Sequence, residues 1–188
     1  MRLFVALDIP DSARQSLERL SRKLREICPA ARWVRMEGVH IALKFIGETP
    51  ADRVEAIRAA LNTVRSPGPI ELQFGGLGFF PGARRPRVLW AGVTAGTALR
   101  DLAAAVETQL EPLGMPREVR EFNPHITLAR FESPQGLEAL RAAVEQLGAP
   151  EFGHASARQF HLYRSVLKRG GAEYTRLASY AISGEPRS

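Results

Sequence analysis

The chain is poor in cysteine: Cys28 is the single thiol in 188 residues. One thiol makes neither an internal disulfide nor a thiolate cage for zinc, and it fits a reducing cytoplasm. Long apolar runs are missing too. No stretch approaches 18 uncharged apolar residues, so no membrane-spanning helix is expected. The opening Met1–Asp8 carries only a short apolar run with no cleavage-type tail, and reads as a strand rather than a signal peptide. Lysine is scarce, with Lys23, Lys44 and Lys168 the only three among 26 cations. The remainder are arginines, whose planar fork suits phosphate, although a GC-rich genome gives the same bias. What is present is ordinary for a globular protein: 45% hydrophobic and 24% charged residues exclude disorder and fibrous folds. A net charge of +6 favours an anionic partner.

The chain repeats itself. Val39-His40-Ile41-Ala42-Leu43-Lys44 resembles Pro124-His125-Ile126-Thr127-Leu128-Ala129, with the histidines 85 residues apart. The same offset carries Arg2-Leu3-Phe4-Val5-Ala6 onto Arg87-Val88-Leu89-Trp90-Ala91, and Arg32 and Arg35 onto Arg117 and Arg120. With a slip of two, Ala56–Leu61 falls on Ala139–Val144. The common register predicts a single domain over 1–188 made of two related halves, about 1–84 and 85–188.

Each half reads as β-α-β-α-β. In the first, a strand at 2–8 precedes a helix capped by Asp11, with Leu17, Leu20, Leu24 and Ile27 on one face. A strand at 39–46, a helix started by Thr49-Pro50 and bearing Val54, Ile57, Leu61 and Val64, and a strand at 70–75 follow. In the second half, strands are expected at 87–93 and 124–131. Helices are expected at about 97–112 and, opened by Ser133-Pro134, at 134–147. Strands follow after 151, including a hairpin of 159–167 and 173–182 about Lys168-Arg169-Gly170-Gly171. The expected class is α+β: a bilobal pseudo-two-fold duplication, two antiparallel sheets lining a central cleft, with helices on the outer faces.

Strand alternation then assigns faces. Ile41 and Leu43 point to the core, and His40, Ala42 and Lys44 to the other side. Ile126 and Leu128 point to the core, and His125 and Thr127 away. A pseudo-axis would set the two imidazoles across a cleft. Near neutral pH one can be neutral and the other protonated, an acid and a base for phosphodiester hydrolysis. A threonine hydroxyl two residues on can hold a non-bridging phosphate oxygen. No metal is called for, since aspartate and glutamate do not cluster with these histidines in the sequence.

These residues resemble the two-histidine (2H) phosphoesterases, specifically the RNA 2′,3′-cyclic phosphodiesterases once named 2′–5′ RNA ligases. The hallmark, H-x-[ST]-hydrophobic twice, reads here His40-Ile41-Ala42-Leu43 and His125-Ile126-Thr127-Leu128. Lys44–Glu48, Arg87–Val93, Leu162-Tyr163-Arg164-Ser165 and Tyr174-Thr175-Arg176-Leu177 also match. The resemblance implies cofactor-free hydrolysis of 2′,3′-cyclic phosphate ends to 2′-phosphates by a monomer with a basic cleft. His40 would be the proton donor, His125 the proton acceptor, and Thr127 the holder of a phosphate oxygen. Phe45 and Arg130, each five after a histidine, would bind substrate by stacking and by a phosphate contact. Strict alternation would turn both away from the cleft, so a bend or bulge after the motif is required. Ala42 departs from the pattern, because it lacks the hydroxyl.

Three readings of function remain open at this level. One is the phosphodiesterase. A second is ATP-independent 2′–5′ joining at the same site. The third is a non-catalytic module that binds RNA ends. Transfer RNA fragments, cyclic-ended oligonucleotides and cyclic nucleotides all fit as substrates. Other signals are weaker. Gly75-Gly76-Leu77-Gly78 reads as a flexible turn, since it lacks the lysine of a phosphate loop. Arg84-Arg85-Pro86-Arg87 is a basic loop. His154 and His161, seven apart, are expected on opposite faces. Trp33 and Trp90 read as core. Arg32, Arg35, Arg117 and Arg120 are candidates for a basic rim.

Overall fold

A computed structural model describes residues 1–66, 68–169 and 171–182. It is α+β, with two antiparallel sheets and four α-helices. The strands are β1 (Arg2–Leu7), β2 (Arg32–Trp33), β3 (Ile41–Glu48), β4 (Ile70–Phe80), β5 (Val88–Thr94), β6 (His125–Arg130), β7 (Glu151–Ala157), β8 (Gln159–Lys168) and β9 (Gly171–Ala181). The helices are α1 (Asp11–Ile27), α2 (Val54–Asn62), α3 (Ala98–Leu110) and α4 (Leu137–Leu147). Among the described residues, no helix is long and apolar enough to cross a membrane.

The sheets do not divide at residue 84. One runs β3-β1-β8-β9, the other β2-β6-β5-β4-β7. Each half supplies one adjacent strand pair, β1 with β3 and β5 with β6. Each then sends its next long strand across: β4 joins β5, and β8 joins β1. The first helices cross as well. α1 packs against β7 and α4, while α3 packs against β3 and α2. This reciprocal exchange makes one continuous core from Leu3 and Val5 through Leu72 to Leu89 and Ile126. The equivalence of α2 and α4 holds, since Ile57 and Leu61 are buried in one and Leu140 and Val144 in the other.

Several element starts differ from the expectation. Pro10, not Asp11, is the N-cap of α1, and Asp11 instead places its charge in the first turn. Thr49 donates its hydroxyl to the Gly47 carbonyl at 3.1 Å, and a 3-10 turn at Ala51–Arg53 precedes α2. Gly136, with φ of 77°, delays α4 to Leu137. In the hairpin turn, Gly170 lies outside the described residues.

Gly75-Gly76-Leu77-Gly78 is not a turn but the middle of β4. The strand bulges there, between β7, which it pairs from Ile70 to Gly75, and β5, which it pairs from Gln73 to Phe80. Glycine is needed for closeness: a Cβ on Gly78 would sit 2.1 Å from the Trp90 ring. Trp90 is therefore not a core residue but a half-buried ring lying over Gly78. Trp33 packs partly against the core and donates its indole N–H to the Cys28 carbonyl at 2.9 Å.

Candidate active site

Both motifs follow the expected alternation up to their leucines. Ile41 and Leu43 are 0% and 5% exposed, and Ile126 and Leu128 are both 0%. His40, Ala42 and Thr127 are half-buried, and His125 is exposed. After the leucines the alternation breaks in both strands. Ala6 pairs with Ala42 and Val5 with Lys44, so Leu43 is an extra residue in β3. Trp90 pairs with Thr127 and Leu89 with Ala129, so Leu128 is an extra residue in β6. These are equivalent β-bulges, one in each half.

The bulges decide which side chains share the histidine face. Phe45 pairs with Phe4, on the face of Ala6 and Ala42. Arg130 pairs with Val88, on the face of Trp90 and Thr127. Phe45, 67% exposed, and the exposed Arg130 therefore stand on the histidine faces despite their odd spacing. Lys44 goes the other way. It was expected beside His40, but the bulge turns it inward to 4% exposure. There its ammonium donates to Glu107 at 3.0 Å and to the Pro116 carbonyl at 2.6 Å, with Glu118 at 3.6 Å. Burial works against the Glu107 charge. The Glu118 backbone N–H and Lys44 outweigh it and hold the carboxyl below its usual range.

Pairing also corrects the offset between halves. Trp90 takes the place of Ala6 and Val88 that of Phe4, one residue away from the sequence alignment. One step beyond the Leu7–Ile41 pair, Asp8 lies beside His40. At the equivalent point His125 pairs with Gly92.

The two imidazoles are held alike. Nδ1 of His40 lies 2.8 Å from the Gly38 carbonyl, and Nδ1 of His125 lies 2.8 Å from the Asn123 carbonyl. A carbonyl only accepts, so each Nδ1 carries the hydrogen. That leaves each Nε2 as the ring nitrogen able to take up a proton when the ring is neutral and to give one up when it is charged. Strands β3 and β6 approach each other although they belong to different sheets, which brings the two histidine-bearing strands together.

Around His40 the face is aromatic. Tyr163 lies 4.4 Å away, Tyr174 5.3 Å and Phe4 5.8 Å, between ring centroids. Phe4, Ala6 and Tyr163 form a small buried cluster apart from the main core. Asp8 sits at the edge of this cage. Its Oδ1 accepts the Tyr163 hydroxyl at 2.5 Å and lies 3.8 Å from Nε2 of His40. Its Oδ2 accepts from the Arg176 guanidinium and lies 3.5 Å from Nε2 of His161. His161 is 4% exposed, with Nδ1 2.9 Å from the Ser179 hydroxyl. Burial lowers the proton affinity of His40, partly offset by the Gly38 carbonyl and by Asp8. Burial also lowers that of His161. Burial, followed by the bond to Asp8, pushes Tyr163 up to about 12, so it stays a neutral donor.

Sequence reasoning passed over Asp8, His161, Tyr163 and Arg176 as site residues. Two of them lie inside motifs already matched, Leu162–Ser165 and Tyr174–Leu177, but their pairing with Asp8 spans 155 and 168 residues. His154, exposed on β7, belongs to the other sheet from His161. The four candidate rim arginines part company. Arg32 pairs with Glu132 and Arg117 with Glu111. Arg120 lies over the Phe80 ring at 5.8 Å, and Arg35 lines a hollow beside Lys168 and Arg169 at the hairpin end.

Known proteins agree with this architecture. The family model described as the 2′-5′ RNA ligase superfamily matches residues 9–169. An RNA 2′,3′-cyclic phosphodiesterase of Archaeoglobus fulgidus is 32% identical, over 93% of this chain and 96% of its own. One from Thermus thermophilus is 33% identical, over 98% and 92%. Among solved structures, a Thermus thermophilus protein superposes with a TM-score of 0.81 at 31% identity, covering 98% of this chain and all of that one. E. coli LigT complexed with 3′-AMP gives 0.77 at 29%, covering 96% and 97%. The resemblance carried by the paired histidine motifs thus extends over the whole fold, and the chain belongs to the 2′-5′ RNA ligase superfamily.

Proposed function

We propose that this protein hydrolyses RNA 2′,3′-cyclic phosphate ends to 2′-phosphomonoesters, with His40 as the general acid and His125 as the general base. The observation that carries this is the paired Nδ1–carbonyl lock, which presents Nε2 of both rings on approaching strands. Relatives named RNA 2′,3′-cyclic phosphodiesterase, matching nearly the full length, support the substrate. Nε2 of His125 takes a proton from water as its oxygen attacks phosphorus. Nε2 of His40 gives a proton to the 3′ oxygen as the P–O3′ bond breaks. Each transfer is worth roughly 10²–10⁴-fold. Two imidazoles cover both transfers, so the chemistry asks for no metal or cofactor.

Thr127 holds a non-bridging oxygen, and Arg130 supplies a guanidinium on the same face. Phe45 offers its exposed ring to the terminal base. Open sheet faces suit a polymer end, whether of a transfer RNA fragment or another oligonucleotide. The same centre, with a 5′-hydroxyl in place of water as the attacking group, opens the cyclic phosphate into a 2′–5′ linkage, with the 3′ oxygen leaving as before, in keeping with the family's description. In water, hydrolysis dominates.

The test is an RNA oligonucleotide ending in a 2′,3′-cyclic phosphate, incubated in EDTA without ATP. A phosphatase-sensitive product, heavier by one water and lost in His40→Gln and His125→Gln, is the expected result. Bound but unconverted RNA would instead make the chain an RNA-end-binding module, with Ala42 as the cause.

A further inference from the structure

The internal duplication supplies its own control. His40 and His125 each stand at the start of a strand that bulges at the leucine three residues on, with the same backbone lock on Nδ1, and the residues alongside them differ. Beside His125 stands Gly92, where a Cβ would meet the Gly75 carbonyl oxygen at 2.4 Å. No side chain fits there. Beside His40 stands Asp8, which receives a hydroxyl from β8 and a guanidinium from β9. So elaborate a clamp on one carboxylate, next to one of two histidines with the same backbone lock, points to a difference in their work.

We infer that Asp8 is a positioning residue for proton delivery: its carboxylate, clamped by Tyr163, Arg176 and His161, faces the Nε2 edge of His40 and favours the imidazolium that gives up the proton. This rests on the reading of His40 as the acid. The charged groups acting on His40 are Asp8 from the end of β1, Arg176 from β9 and Arg14 from α1. Tyr163 of β8 is neutral, and His161 lies behind Asp8. Both guanidiniums oppose a proton on His40, and Asp8 is the one carboxylate among these groups that favours it. Burial opposes the cation as well. Without Asp8, a largely buried imidazole would have to become a cation in front of two others. Arg176 draws the carboxylate towards itself, and the Tyr163 hydroxyl fixes the other oxygen on the side of His40. At 3.8 Å that oxygen is too far to capture the Nε2 hydrogen, which stays available to the leaving group.

The arrangement is tested with Asp8→Asn, which keeps the shape and removes the charge. Two substrates are compared: a cyclic-ended RNA, and an acyclic nucleoside 2′-(4-nitrophenyl phosphate). The second has nitrophenolate in place of the 3′ oxygen and departs without protonation. On the RNA, kcat should fall about 10- to 100-fold with KM within about twofold. The alkaline limb of the kcat profile should move down by about one pH unit. On the nitrophenyl ester, the variant should stay within about threefold of wild type. Equal losses on both substrates, or an unmoved limb, overturn the inference and leave Asp8 a structural residue. Tyr163→Phe is the second variant, should Asp8→Asn fold poorly. It should shift the limb in the same direction with about a 3- to 10-fold loss, and an unmoved limb there counts equally against the role. His40→Gln separates the layers. If it retains activity on the RNA, the reading of the acid fails; if it is inactive while Asp8→Asn matches wild type, only the role of Asp8 fails.

Discussion

Beside His40 the neighbouring strand ends in the carboxylate of Asp8, and beside His125 the same place holds Gly92. His40 sits in a cage of Phe4, Tyr163 and Tyr174, while His125 stands exposed with Thr127 and Arg130 on its face. The backbones agree even to the bulged leucine. Symmetry of the chain therefore supplies placement, and departures from symmetry supply chemistry. An acid and a base must differ in proton affinity, and two identical environments would leave each ring equally fit for both jobs.

The largest effect tests whether the two jobs differ at all. His40→Gln and His125→Gln should each lower kcat/KM on cyclic-ended RNA by about 10³-fold. The double variant should be little worse than either alone, since each ring depends on the other. With a nitrophenolate leaving group, His40→Gln should recover most of its loss and His125→Gln should not. Equal recovery would mean that the two rings are interchangeable, and the comparison collapses.

The next contrast lies two residues along. Thr127 carries a hydroxyl and Ala42 does not, and both are on the histidine face. Thr127→Ala should cost about 10²-fold in kcat, the scale of one lost oxyanion donor. Ala42→Thr should raise kcat by up to about tenfold, the value of one well-placed hydrogen bond. An unchanged or lower rate for Ala42→Thr would show that another group already holds that phosphate oxygen.

Much of this was legible in the residues, because it is local or repeated. His40 and His125 announce themselves by a common register, and helices such as α1 by spacing alone. What escaped was non-local. That β4 and β8 would cross between sheets is invisible in a strand's own pattern, since either sheet presents the same alternation. The bulge at Leu43 could be required but not located. One extra residue sends Phe45 outward and Lys44 inward, where strict alternation puts Lys44 beside His40 and Phe45 on the opposite face. Trp90 reads as core in the sequence, whereas the pairing puts it on the histidine face opposite Thr127.

Lys44 gives the third test. Its counterpart after the other bulge is Ala129, buried at 0%. One half packs a methyl group there and the other a cation with two carboxylates. Lys44→Ala takes the ammonium donor from Glu107 and from the Pro116 carbonyl in a largely closed site. A loss of about 3 kcal/mol in urea unfolding is expected, with Ala129→Gly costing only about 1 kcal/mol. Equal losses would show that the ion pair adds nothing beyond packing.

The smallest effect concerns pH and belongs to the Asp8 side of the molecule. Burial holds His40 and His161 below the ordinary value of 6.5. Unfolding restores that value, so between 6.5 and the lower folded values the unfolded chain binds protons that the folded chain refuses. Stability from these two rings is complete above pH 6.5, declines as the pH falls through that window, and levels off once the folded rings are charged as well. Carboxylates add their own losses at lower pH, outside this window. Comparing thermal midpoints between about pH 7.5 and 5.5 should show the decline, and His161→Gln should flatten it by removing one of the two rings. The variant separates the rings because His161 lies behind Asp8, on the far oxygen from His40. If the slope were unchanged in His161→Gln, the refused protons would belong to His40 alone, and the aromatic cage rather than the buried second histidine would set the acid sensitivity of this sheet.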